Sequence, residues 1–131
     1  MAAQIEHLEG DDFQKSRAFS PAVMTQGGKI VWLAGHTTNV DAAGKDISGN
    51  LEAQARTIFS MMDRTLKRAG GSLANLVTMT VFINDARYGD SFVKLRAGYF
   101  PDGKFPASAM ITVTAFARPG IVIEIQGVAV V

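Results

Sequence analysis

Apolar residues recur at spacings of three and four between Asn50 and Ala69, where Leu51, Ala55, Ile58, Phe59, Met62, Leu66 and Ala69 form one stripe. Glu52, Arg56, Asp63, Arg64, Lys67 and Arg68 fill the remaining faces, the pattern of an amphipathic helix laid on a sheet. Asn50 can cap its start, and Gly70-Gly71 ends it after a basic last turn that suits the helix dipole. A shorter stripe of Phe92, Leu95, Arg96 and Tyr99 predicts a second helix from Asp90 to Phe100, stopped by Pro101-Asp102-Gly103.

Elsewhere the period is two or the run is continuously apolar. Ile5 to Leu8 reads as a short edge strand, followed by a polar connection from Glu9 to Ser20. Ala22 to Gln26 and Lys29 to Ala34 flank Gly27-Gly28, which can take the two positive φ angles of a type I′ turn, so a hairpin is predicted there. Ile30-Val31-Trp32-Leu33-Ala34 is apolar on both faces, as a central strand is, and Gly35 ends it at a point suited to a close backbone approach. A Thr-, Asn-, Asp- and Gly-rich loop runs from His36 to Gly49. In the strand Val77 to Ile83, Val77, Met79, Val81 and Ile83 share one side. Two more strands, Pro106 to Val113 and Ile121 to Val130, are joined through the Ala117-Arg118-Pro119-Gly120 corner.

This order predicts an α+β sandwich, with two helices on one face of a mixed sheet. Thr78, Thr80, Thr112 and Thr114, mixed with Val and Ile, suit the opposite sheet face to an intersubunit core. At 131 residues the chain is a single domain, residues 1–131. Charged residues make up 19% and apolar ones 47%, which leaves surface to bury in a homo-oligomer. A net charge of +1 with scattered signs gives no footprint for nucleic acid or an anionic membrane. No cysteine is present, which removes disulfides and thiolate chemistry, and the two isolated histidines do not make a metal cluster. No leader pattern or bilayer-length apolar run is found, so the cytoplasm is the expected compartment.

Among residues able to do chemistry, Glu124 comes first. Flanked by Val122, Ile123 and Ile125, its carboxylate would be partly withdrawn from water, as general acid or base work requires. The competing reading is a solvated glutamate on an edge strand. His36, after Gly35, is a candidate proton carrier or orienting donor, against the commoner case of an ordinary loop histidine. Ser108 has no base at a motif-like spacing, so it is not read as a nucleophile. Gly27-Gly28 and Gly70-Gly71 lack phosphate-binding patterns, and no cofactor motif is present.

Four stretches together resemble the Rid (reactive intermediate deaminase, YjgF-like) family. They are Gly28 to Gly35, the helix ending Arg68-Ala69-Gly70-Gly71-Ser72, Val77 to Ile83, and Phe105-Pro106-Ala107 followed by Val122-Ile123-Glu124-Ile125. The resemblance covers nearly the whole chain and implies a chorismate-mutase-like fold, a homotrimer with a central barrel, and ligand clefts between neighbours. It implies cofactor-free hydrolysis of enamines and imines to ketones and ammonia. By the same likeness Glu124 positions the attacking water, and Ser108, Ala109, Phe19 and Gly35 line the cleft.

In that pattern an arginine that grips the substrate carboxylate stands where this chain has Ser108. A serine hydroxyl cannot replace a forked cation, so the grip is expected to be weakened and Ser108→Arg to restore part of it. Phe19 stands in a tyrosine's place and His36 where glutamine is frequent; Arg118 is an alternative cation, but one in a solvated corner. The resulting expectation is a hydrolytic deaminase acting on a small molecule, an enamine such as aminomuconate or a related intermediate, with His36 and Glu124 handling protons and water. A non-catalytic small-molecule-binding or regulatory trimer is the alternative. An endoribonuclease ranks last, for want of a basic groove.

Overall fold

The computed structural model describes residues 1–131. Its strands are β1 (Gln4–His7), β2 (Val23–Gln26), β3 (Ile30–Trp32), β4 (Leu76–Ile83), β5 (Ala107–Thr112) and β6 (Ile123–Val130). The helices are α1 (Asp12–Ser16), α2 (Leu51–Arg68) and α3 (Gly89–Ala97). A four-stranded mixed sheet, in the order β3-β6-β4-β5, carries the core; β4 and β5 run parallel, and the other pairs are antiparallel. β1 and β2 pair separately as a two-stranded sheet. The α+β class with helices on one sheet face is as expected.

Burial of α2 against β4 and β6 makes the core. Ile58, Phe59, Met62 and Leu66 are fully buried and join Met79, Val81, Ile123, Ile125 and Ala129 in one cluster. Fully burying each of the larger aliphatic chains contributes roughly 1.5–3 kcal/mol, which outweighs the helix propensity differences in the segment. α3 closes the cluster through Phe92, whose ring stacks 6.0 Å from that of Phe59. Tyr99 stacks on the same ring at 4.4 Å. Asn50 caps α2 by accepting from the Ala53 N–H at 3.0 Å.

Several local expectations are corrected. Gly27 and Gly28 do take positive φ, 71° and 75°, but their flanking strands do not form a hairpin. β2 pairs with β1 and β3 with β6, so the turn is a corner between sheets. β3 is consequently an edge strand and not a central one; its second apolar face is exposed, with Trp32 75% and Ile30 59% accessible. The last two strands are not neighbours, because β4 lies between β5 and β6. A register shift between Leu76 and Thr78 turns Leu76 inward and leaves Val77 half-buried. The polar connection contains α1, held by a capping box between Asp11 and Gln14 and burying nothing, so it has no apolar stripe to betray it.

Ala69, read as the last residue of the α2 stripe, is exposed, while Gln54 is completely buried. The Gln54 amide donates to the carbonyls of Ile47 (3.0 Å) and Gly120 (2.8 Å), and its oxygen accepts from the Val122 N–H at 3.0 Å. One side chain thus ties the 36–49 loop and the entry to β6 onto the helix. Gln54→Leu keeps the volume but strands these buried partners. It should cost about 3 kcal/mol in chemical denaturation, since each unsatisfied buried group costs roughly 1–3 kcal/mol. A loss below about 1 kcal/mol would show that the loop finds other partners.

Candidate functional site

The alternation of β6 turns Ile123, Ile125 and Ala129 toward α2 and leaves Glu124, Gln126 and Val128 on the open sheet face. Glu124 is half-buried there, opposite Phe82 of β4. Its carboxylate lies against the backbone of Gly35, where an added Cβ would collide with the Glu124 Oε2 and come within 3.0 Å of Cδ. Gly35 is therefore the close approach anticipated at the end of β3. It leaves room for the carboxylate without satisfying it.

His36 follows immediately but serves the other side. Its backbone exchanges hydrogen bonds with Ile125, which puts both residues on the face covered by α2. The ring Nδ1 donates to the Ala34 carbonyl at 2.8 Å, and Nε2 lies 3.0 Å from the Thr65 hydroxyl. Within one protomer the imidazole is spent on protein partners and is not brought to Glu124.

A second group of residues gathers at the β5 edge. The chain at Ser20 bridges in parallel to Ala107, its N–H donating to the Pro106 carbonyl at 3.1 Å. Its hydroxyl donates to the Phe105 carbonyl at 2.6 Å. This docks Phe19 beside the Phe105-Pro106-Ala107 segment. Phe19 lines an open groove of about 680 Å³ with Ser20, Phe105, His7, Lys15 and Lys104. Burial, and then the Lys104 charge, hold the His7 imidazole below its ordinary value. Ala109 is exposed on the open face, next to Thr80. Ser108 points the other way, on the α3 side with Met79, and is half-buried.

There Ser108 meets a residue that sequence reasoning placed only in an apolar stripe. Arg96 of α3 is 2% exposed; its Nη1 donates to Ser108 Oγ at 2.8 Å and its Nη2 to the Arg17 carbonyl at 2.8 Å. The guanidinium carbon sits 5.2 Å from the centre of the Phe92 ring. Burial, reinforced by the nearby Arg17 charge, pushes Arg96 down to about 10. Arg17 is paired with Asp90 at 2.6 Å. The signal was an arginine at a core-facing position of a short helix, where an unpaired charge is rare. Arg118, the other cation considered, is exposed in its corner. An arginine introduced at 108 would point at Arg96, so the gain expected from Ser108→Arg now carries a like-charge penalty.

The candidate residues thus fall into two candidate half-sites: Glu124 with Gly35 on the open face, and Ser108 with Arg96 and the Phe19 segment at the β5 edge. They lie two strands apart and on opposite faces of the sheet. No cluster of three metal-ligating side chains occurs, and no helix is long and apolar enough to cross a membrane.

The profile of the family described as Endoribonuclease L-PSP matches residues 10–131. The protein DfrA of Myxococcus xanthus is 30% identical over 114 residues, covering 86% of this chain and 84% of that protein. A human 2-iminobutanoate/2-iminopropanoate deaminase is 29% identical over 112 residues, covering 86% and 79%. Among solved structures, a Rid-family protein of unknown function from Yersinia pestis, YyfB, superposes with a TM-score of 0.83 at 22% identity. Both chains are covered completely.

Replacing Gly35 by alanine should displace the Glu124 carboxylate while costing less than about 1.5 kcal/mol, because the atoms in the way are the far end of a flexible side chain. The check is the side-chain carboxyl carbon resonance of Glu124 by NMR. An unchanged resonance would mean that Gly35 does not set its position.

Proposed function

Since the chain belongs to the endoribonuclease L-PSP family, that is, the YjgF or Rid family, we propose that it hydrolyses small enamines and imines to ketones and ammonia. The observation that carries this reading is the half-buried Glu124 carboxylate, held over Gly35 on the open sheet face and engaged by no ion pair or hydrogen bond within the chain. A carboxylate is an acceptor only, so a water placed against it is oriented with its oxygen lone pair outward. Water adds to the imine carbon, and Glu124 takes one of its protons. Glu124 hands that proton to nitrogen, completing the carbinolamine. It then carries the carbinolamine hydroxyl proton to the same nitrogen, so that the C–N bond breaks and ammonia departs as the C=O bond forms. An enamine enters the same sequence once its carbon is protonated. The relative named for 2-iminobutanoate and 2-iminopropanoate supports this substrate class. Thr65 and Ala34 already engage His36, so it is assigned the positioning of the Gly35 segment.

A homotrimer would bring the two half-sites together across a subunit boundary. The open face supports this: Trp32, Ile30 and Ile111 are 75%, 59% and 45% exposed on it, with Phe82 and Val128 between them. A phosphodiesterase reading has less support, since a net charge of +1 offers no stripe to track a nucleic-acid backbone.

Two outcomes are expected. Light scattering should give three times the 14.0 kDa protomer mass at micromolar concentration, and a monomer mass would dismiss the shared cleft. When 2-iminobutanoate is generated by a coupled dehydratase, the protein should accelerate ammonia release. Glu124→Gln should lower kcat/KM by about 10²-fold or more, the usual size of a lost general acid–base group. Equal rates for wild type and variant would refute the role of Glu124.

A further inference from the structure

Arg96 is a buried cation that no carboxylate accompanies. Every ion pair of the chain is made by other residues, and the nearest, Arg17–Asp90, already neutralises Arg17. Its Nε is the one buried side-chain nitrogen or oxygen without a hydrogen-bond partner. Burial lowers its proton affinity, the mark of a charge held without compensation. A strut between α3, β5 and the Arg17 carbonyl needs donors but not a charge, so the charge is left without a partner in the fold.

The one hydroxyl that Arg96 touches is Ser108, half-buried on β5 beside the Phe19–Ser20 segment. Because Ser108 Oγ accepts from Arg96, its own hydrogen is free to point elsewhere, and the guanidinium polarises that O–H toward stronger donation. The geometry points to a carboxylate-binding subsite in which Ser108 donates to the anion and the buried Arg96 behind it supplies the charge. One uncompensated cation matches a monoanion; a phosphate dianion would exceed it. The subsite deepens the deaminase reading, on which it rests for its ligand class: a small 2-imino or 2-oxo acid held by its carboxylate, through a serine-relayed cation instead of a direct arginine fork.

The probes are pyruvate and its neutral analogue pyruvamide, titrated into the full-length protein at neutral pH by NMR or calorimetry. Wild type should prefer pyruvate, and Ser108→Ala should weaken pyruvate about tenfold or more while leaving pyruvamide unchanged. Ser108→Thr, which keeps the hydroxyl, should retain the preference, and Arg96→Met should abolish it. If Arg96→Met does not fold, the alanine and threonine variants at 108 still decide. Equal affinity for the two probes, binding of neither, or a pyruvate preference that survives Ser108→Ala would overturn the subsite. Failure of the deaminase reading is separable: discrimination between probes without ammonia release keeps the subsite and removes the reaction, and the converse result does the reverse.

Discussion

Packing of α2 across β4 and β6 sets everything else in this molecule. Once Ile58, Phe59, Met62 and Leu66 are buried against Ile123, Ile125 and Ala129, the two-residue period of β6 allows no choice for Glu124, which must emerge on the far side of the sheet. The same contact carries Gln54 into the core, where its amide fixes Val122 at the mouth of β6 and Ile47 in the preceding loop. A single buried carboxamide thereby links the apolar core to the position of the candidate catalytic carboxylate. The polar network is small but fully satisfied, the condition under which buried polar groups specify a fold.

Much of this was legible in the chain itself, and the failures have a common cause. The α2 stripe was readable because every residue of it answers to one surface, and the sole surprises were Gln54, buried for its hydrogen bonds, and Ala69, left exposed beyond the sheet. The Gly27-Gly28 turn was also right in its φ angles, since glycine's freedom is a local property. What local chemistry does not encode is which strand a turn delivers its neighbour to, and β3 went to β6. The continuous apolar run of Ile30 to Leu33 signalled two apolar faces; within a single protomer one of them remains open.

The site divides along the same line. Glu124 and Gly35 were each marked by their surroundings in sequence, and the structure brings them into contact. His36 sits beside Gly35 in the chain, yet strand alternation sends it to the opposite face, so adjacency in sequence did not bring it to Glu124 within the protomer. Arg96 was in plain view within a helix stripe. Its significance lies in its partner Ser108, 12 residues away on another element, and in the absence of an acid nearby. Neither relation has a periodicity by which it could be read.

Arg96 and the side chain at 108 reach for the same point, so their identities are coupled. Arginine at both positions would set two cations in contact; arginine at neither leaves the Arg17 carbonyl and the β5 edge without their donor. Any lineage moving between a strand-borne and a helix-borne cation must cross one of those two costly intermediates. Such exchanges are therefore expected to be rare and, once made, hard to reverse. Comparing such chains at either position alone misses a change that the two positions can only make together.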